Sequence, residues 1–248
     1  MIKLKTYGSS SKGNCHLLEL NGTTLLLDCG KYTDELKEDI KKVDGILITH
    51  KHSDHCKAVK DIKNYYKGKY YSNKETLTIL PVIDEYKEEV RDSNPFNINN
   101  LVIVPFELVH DVKCYGYLIK DTISGYKVVY ITDTGAIDYL SFKDVDCFLI
   151  ESNCDEELLT YEDYHEVRVY ETHLSMQQTL KFLEKNVNYN TKYCILCHIS
   201  SNTEDYKKHE TYILNNLTDK NIKVIALDPH LKNANEIILK DDLLIGFD

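Results

Sequence analysis

The chain has 248 residues, 42% hydrophobic and 28% charged, which is ample apolar material for a sizeable core. A formal net charge of −10 argues against general nucleic-acid affinity, so any such binding requires a local basic patch. No apolar run approaches a membrane span, and the opening "MIKLKTYGSSSKGN" has no apolar targeting segment; the expectation is a cytoplasmic protein without membrane contact, its eight cysteines mostly reduced.

In chain order, the first third reads as short strands: "IKLKTYGS", "CHLLEL" and "TTLLLDCG". A polar helix, "YTDELKEDIKKV", follows, and then the strand "GILIT" runs into "HKHSDHC". "HCKAVKDIKNYY" has helical spacing, and "KYYSN" is a short strand. The middle carries "NLVIVPFELVHD", "CYGYLIKD", "YKVVYITDTG" and "DCFLIESNCD". Towards the end come the helix "SMQQTLKFLEKN", with Ser175 and Gln178 as a capping box, the strand "YCILCH", the helix "EDYKKHETYILNNL" and the strand "KVIALD". Strands and helices alternate in two similar rounds, which predicts α/β layers with sheets inside and helices outside. No repeat, low-complexity tract or linker divides the chain, so a single domain is expected over residues 1–248.

Polar residues fall at the ends of these strands. "GILIT" ends at His50, "FELV" at His110, "VVYIT" at Asp133, "CFLI" at Glu151 and "CILC" at His198. If those ends share one edge, the residues converge. His50, His52, Asp54 and His55 add a dense group of metal-ligand types. A lone divalent ion needs three or four ligands, and more are present, so two ions are expected. His50, His52 and His110 would hold one, Asp54, His55 and His198 the other, and Asp133 would bridge them. Two divalent ions bring four positive charges; Asp54, Asp133 and a bridging hydroxide remove three, leaving a centre that favours an anionic substrate and supplies hydroxide near neutral pH. Imidazole and carboxylate donors suit zinc, and also manganese or iron.

"CILCH" matches the C-x-x-C-H haem-attachment string, but it reads as a buried strand, with Cys194 and Cys197 as small core residues. Cys29 and Cys56 are likewise expected to pack rather than ligate.

"THKHSDH" resembles the T-H-x-H-x-D-H signature of the metallo-β-lactamase fold superfamily, and "LLLDCG" resembles that superfamily's first motif. "GSSSKGN", "ITDTG", "ESNCDEELL", "THLS" and "CHISSNTED" look like its YycJ/WalJ-like nuclease branch, collinear over nearly the whole chain. The resemblance implies an αββα sandwich of two mixed sheets, a dinuclear centre and hydrolysis of DNA phosphodiesters from the 5′ end. It implies that Asp28 orients the metal loop from behind, with Glu151 in a similar supporting place. His173 in "THLS" would protonate the leaving group, and Asp54 would also serve catalysis; Ser200 and Asn202 would face substrate. Two departures stand out: Cys154 lies where the branch commonly has histidine, and the stretch from there to His173 is altered.

Two further segments bear on substrate. "GSSSKGN" offers backbone N–H groups to wrap a phosphate, with Ser11, Lys12 and Asn14 as contacts. Residues 57–74 hold six lysines and four tyrosines; Lys57 and Lys60 would meet phosphates and the tyrosines could stack on bases, against the plainer reading of a solvated helix face with tyrosines partly in the core. The leading function is a metal-dependent DNA exonuclease. The alternatives are a small-molecule hydrolase of a cyclic nucleotide, thioester or lactone, and a non-catalytic metal-stabilised nucleic-acid-binding protein. Protein partners are not indicated.

Overall fold

The computed structural model describes residues 1–160, 164–201, 205–219 and 221–240. Fourteen strands and seven α-helices are described: β1 (Ile2–Gly8), β2 (Cys15–Leu20), β3 (Thr23–Leu27), α1 (Asp34–Asp39), β4 (Gly45–Leu47), α2 (Ser53–Cys56), α3 (Val59–Ile62), β5 (Lys69–Ser72), α4 (Lys74–Ile79), β6 (Lys87–Glu89), β7 (Phe96–Ile98), β8 (Leu101–Leu108), β9 (Cys114–Asp121), β10 (Lys127–Ile131), β11 (Cys147–Glu151), α5 (Tyr164–Thr172), α6 (Met176–Asn186), β12 (Tyr193–Cys197), α7 (Tyr206–Asn216), β13 (Lys223–Ala226) and β14 (Asn235–Lys240). One sheet runs β14-β1-β2-β3-β4-β5-β6 and the other β13-β12-β11-β10-β9-β8-β7. Both are mixed: β3, β4, β5 and β6 are parallel in the first, as are β10, β11, β12 and β13 in the second.

The two sheets stack face to face with helices outside, the αββα sandwich. Side-chain alternation produces the layers. On β3, Leu25 and Leu27 face the central core while Leu26 faces the core under α1, α3 and α4. On β11, Cys147 and Leu149 point inward while Phe148 and Ile150 meet Phe182 and Leu183 of α6. Strands buried on both faces carry unbroken apolar runs, which is why "TTLLL" and "CFLI" show no polar alternation. Cys194 and Cys197 fall on opposite faces of β12, both buried, so they cannot act as a pair toward one group.

α6 starts where its sequence says. Ser175 accepts from Gln178 N–H and the Gln178 side chain returns to Ser175 N–H. "HCKAVKDIKNYY" is different: instead of one helix it forms α2 and α3, interrupted where Ala58 N–H bonds to Cys29 O. That tertiary bond, together with Cys29 N–H to His55 O, ties α2 to the end of β3 and takes precedence over helical continuity. β14 pairs antiparallel with β1 and was not legible as a separate strand. No helix among the described residues is long and apolar enough to cross a membrane.

Candidate metal centre

The carboxyl ends of β4, β8, β10, β11 and β12 meet along one edge of the sandwich, where sheets of this kind place their sites. They carry His50, His110, Asp133, Glu151 and His198. Asp28, Asp133 and His198 have φ of 58°, 42° and 51°, the left-handed region that Asp and His enter more readily than most residues.

Three loops are stitched beneath the centre. Asn14 N–H bonds to Asp54 O at 2.7 Å and Gly30 N–H to Asn14 O at 2.8 Å. A Cβ at residue 30 would lie 1.6 Å from Asp54 O, so only glycine permits this approach.

The seven sequence-selected residues converge. Ligand atoms of His50, His52, His110 and Asp133 lie within 4.8 Å of one another, and so do those of Asp54, His55, Asp133 and His198. Asp133 belongs to both sets, and its two oxygens divide between them. Oδ2 lies 3.8 Å from His50 Nε2 and 3.9 Å from His110 Nε2; Oδ1 lies 3.2 Å from His55 Nε2 and 3.5 Å from His198 Nδ1. Asp54 Oδ2 is 3.3 Å from His55 Nε2 and 3.4 Å from His198 Nε2.

Behind this cluster each histidine has a partner on its other ring nitrogen, as metal-ligating imidazoles do. His55 Nδ1 donates to Asp28 Oδ2 (2.8 Å) and His198 Nδ1 to Glu151 Oε1 (2.8 Å). His110 Nδ1 donates to Thr172 O (3.1 Å). The Thr49 hydroxyl donates to Asp28 Oδ1 and is left to accept from His50 Nδ1 at 3.0 Å. Asp28 is fully buried and also accepts from Thr49 N–H and the Tyr130 hydroxyl.

The donor set fits divalent metal. His50 Nε2 is buried and has no hydrogen-bond partner among the described residues, yet it points towards Asp133. A buried imidazole nitrogen without a partner is costly unless something else satisfies it, and an ion does so. Charge gives the same indication. Burial and neighbouring His55 push His50 well below the ordinary imidazole range. Burial opposes charge on His55 too, but Asp133, Asp28 and Asp54 hold it well above that range. His198 is similar: against burial, Asp133, Asp54 and Glu151 raise it to about 10. Asp133 and Asp54 are held below the usual carboxylate range, where the histidines outweigh burial. His55 and His198 thus favour their protonated forms in the ion-free fold.

A family model described as a β-lactamase superfamily domain matches residues 23–199. The chain belongs to that superfamily. Among curated relatives, exodeoxyribonuclease WalJ of Streptococcus pneumoniae serotype 2 (strain D39) is 28% identical over 272 residues, covering 100% of this chain and 92% of the relative. Exodeoxyribonuclease YycJ of Bacillus anthracis is 28% identical over 176 residues, covering 64% of this chain and 65% of the relative. Among solved structures, the metallo-β-lactamase fold protein YhfI from Bacillus subtilis superposes with a TM-score of 0.73 at 14% identity, covering 96% of this chain and all of that one. The chain is a metal-dependent hydrolase of this superfamily, and its histidine–aspartate cluster fits the binding of divalent metal.

His173 adjoins the superfamily centre. Its Nδ1 donates to Glu151 Oε1 at 2.7 Å, the oxygen that also serves His198, and the two imidazoles stack at 5.2 Å. Ser11, Lys12, Lys57 and Lys60 are exposed, and Lys57 Nζ donates to Lys12 O at 2.7 Å. Ser200 is half-buried, and Asn202 lies outside the described residues.

Two sequence expectations need correction. Three amides of "GSSSKGN" are already engaged: those of Lys12, Gly13 and Asn14 bond to Ser10 Oγ, Ser10 O and Asp54 O. Asn14 is buried, its amide on Ser10 O and beside His55 Nε2, so this loop braces the centre. In residues 57–74, Tyr66 and Tyr70 are core residues and Tyr71 stacks on Phe96, leaving Tyr65 as the exposed ring. The tyrosines thus follow the plainer reading, partly in the core, with Tyr70 and Tyr71 on β5 itself. Cys29, Cys56 and Cys154 are buried and absent from the ligand groups.

Sequence reasoning passed over Asp111, which directly follows His110. Its Oδ1 lies 3.3 Å from His52 Nε2, and Arg168 Nη2 donates to its Oδ2 at 2.8 Å. The adjacent His-Asp pair was the available signal. Asp111 and His110 also line a cavity of about 750 Å³ with Lys51, Lys113 and Tyr139.

Proposed function

We propose that the protein is a phosphodiesterase with two divalent ions, most suited to zinc, that shortens DNA from the 5′ end. The observation that carries this reading is the division of Asp133, one oxygen facing each histidine group. His50, His52 and His110 would hold one ion, Asp54, His55 and His198 the other, with Asp133 common to both. Ions held there supply Lewis acidity to a phosphoryl oxygen and lower the pKa of water towards about 7. Similarity to an exodeoxyribonuclease over the full length of this chain supports DNA as substrate.

The chain's own groups complete the chemistry. Asp54, with a side chain 17% exposed, keeps a carboxylate at the opening of the site and orients the attacking water by accepting its hydrogen bond. His173 is held through Nδ1 by Glu151, which leaves Nε2 to donate a proton to the departing sugar oxygen. The cavity beside His110 gives a strand room to lie against the centre. Eight free, buried cysteines fit a reducing cytoplasm.

The test is incubation of metal-reconstituted protein with end-labelled single- and double-stranded DNA, RNA and cyclic dinucleotides. Stepwise loss of nucleotides from the 5′ end of DNA is expected. Turnover of cyclic dinucleotides with DNA left intact would instead select the small-molecule hydrolase.

A further inference from the structure

Of the five histidines in the cluster, His52 is the least enclosed. Its side chain is 29% exposed, whereas those of His50, His55, His110 and His198 are 0–1% exposed. Packing and buried acceptors fix the other four rings. His52 sits at the rim, where packing holds a ring poorly.

What reaches it there is Asp111. His52 Nδ1 faces the cluster, hydrogen-bonded to His110 Nε2 at 3.2 Å, and His52 Nε2 lies within ion-pair range of Asp111 Oδ1 at 3.3 Å. Oδ1 is also 3.2 Å from His110 Nε2, so the carboxylate spans the rim between the two rings. Asp111 Oδ2 accepts from Arg168 Nη2. Arg168 lies on α5, and α5 is fixed at its far end: Thr172 O accepts from His110 Nδ1, and a Cβ at residue 135 would lie 1.9 Å from Glu171 O, a contact only Gly135 allows.

We infer that Arg168 and Asp111 form a positioning pair for His52: once an ion takes the place of the His52–His110 hydrogen bond, Asp111 would accept the ring proton on Nε2 and leave the Nδ1 lone pair to the ion shared with His50 and His110. Asp111 thereby does for the exposed ring what Asp28 does for His55 and Glu151 for His198. Arg168 holds the other carboxylate oxygen of Asp111. The altered stretch ahead of His173 then has a function: it supplies, through α5, the outer support of one metal ligand. As an exposed ion pair, Arg168–Asp111 adds little to folding stability. A purely structural role would therefore leave metal affinity unmoved.

This inference rests on the two-ion reading of the centre, and the experiment separates the two. Chelator competition measures the affinity of each ion in wild type, Asp111→Ala, Asp111→Asn, Arg168→Met and His52→Ala, with the unfolding midpoint of the ion-free proteins as a control. Outer partners of metal-binding histidines typically contribute about 10–100-fold in affinity. Asp111→Ala should weaken one ion by about that factor and spare the other, with an unchanged ion-free midpoint. Asp111→Asn should fall between, because its amide oxygen still accepts but carries no charge. Arg168→Met should weaken the same ion less, and adding it to Asp111→Ala should cost nothing further, as members of one chain are not additive. Unchanged affinities in Asp111→Ala overturn the inference while the metal centre stands. Complete loss of one ion, as in His52→Ala, overturns it by making Asp111 a ligand. A wild type that binds no ion at all sinks the two-ion reading itself.

Discussion

The two halves of the centre share Asp133 but are supported in opposite ways. The half made by His50, His52 and His110 is backed mainly by neutral acceptors, a threonine hydroxyl and a carbonyl, and burial lowers His50 and His110. Burial thus favours the neutral form of His50 and His110 in the ion-free fold. The half made by Asp54, His55 and His198 is backed by Asp28 and Glu151, and these carboxylates favour the protonated form of its imidazoles. The difference teaches that one half is built ready for a cation, while the other must exchange protons for one.

The largest test attacks what the halves share. Asp133→Ala should lose both ions and reduce DNA cleavage to background, read by elemental analysis and nuclease assay. Retention of one ion at full occupancy would show that the halves are independent. Next, His173→Ala leaves both halves intact but should slow DNA cleavage by about 10²–10⁴-fold. A nitrophenyl phosphodiester, whose leaving group needs no proton, should be affected far less; equal losses, or loss of an ion, would remove His173 from the acid role.

The third test reads protons directly. The pKa of His198 rises from about 6.5 in the unfolded chain to about 10 in the ion-free fold. The native state then binds the proton more tightly. This stabilisation is complete below about pH 6.5 and is lost as pH climbs through about 10. Chelator-treated protein should therefore lose stability on the order of a few kcal/mol between those limits, measured by urea midpoints. Ion-loaded protein should not show the trend, and a flat ion-free profile would erase the contrast between the halves.

Smaller effects sharpen the comparison further. Asp28→Asn keeps an acceptor behind His55 but removes its charge, and should weaken the acid-half ion by up to about 10–100-fold in chelator competition. Equal weakening of both ions would place Asp28 behind the whole centre. Lys57 borders the acid half through Lys12. Replacing Lys57, Lys60 and Lys63 together should flatten the salt dependence of duplex binding by roughly 0.9 log units of slope for each phosphate no longer neutralised. An unchanged slope would assign these lysines to a solvated face.

The layered fold and the ligand-type residues were legible because their signals are local. Double-buried strands need continuous apolar runs, and His50, His110, Asp133, Glu151 and His198 each stand where such a run stops. Ser175 and Gln178 marked α6 because a helix cap is made within four residues. What the sequence by itself determined was therefore the strand order of polar residues at one edge, and the chemistry of their donors. Only the tertiary structure decided that Asp133 turns one oxygen to each histidine group, and that Asp28 and Thr49 share a hydrogen-bonded chain behind two different rings. It alone tied "GSSSKGN" to Asp54 through Asn14, and split "HCKAVKDIKNYY" at Ala58. The physical reason is the same in each case. These outcomes are set by hydrogen bonds between residues far apart in sequence — Asn14 with Asp54, Cys29 with Ala58, Arg168 with Asp111 — and no local periodicity encodes which distant partner satisfies a given donor.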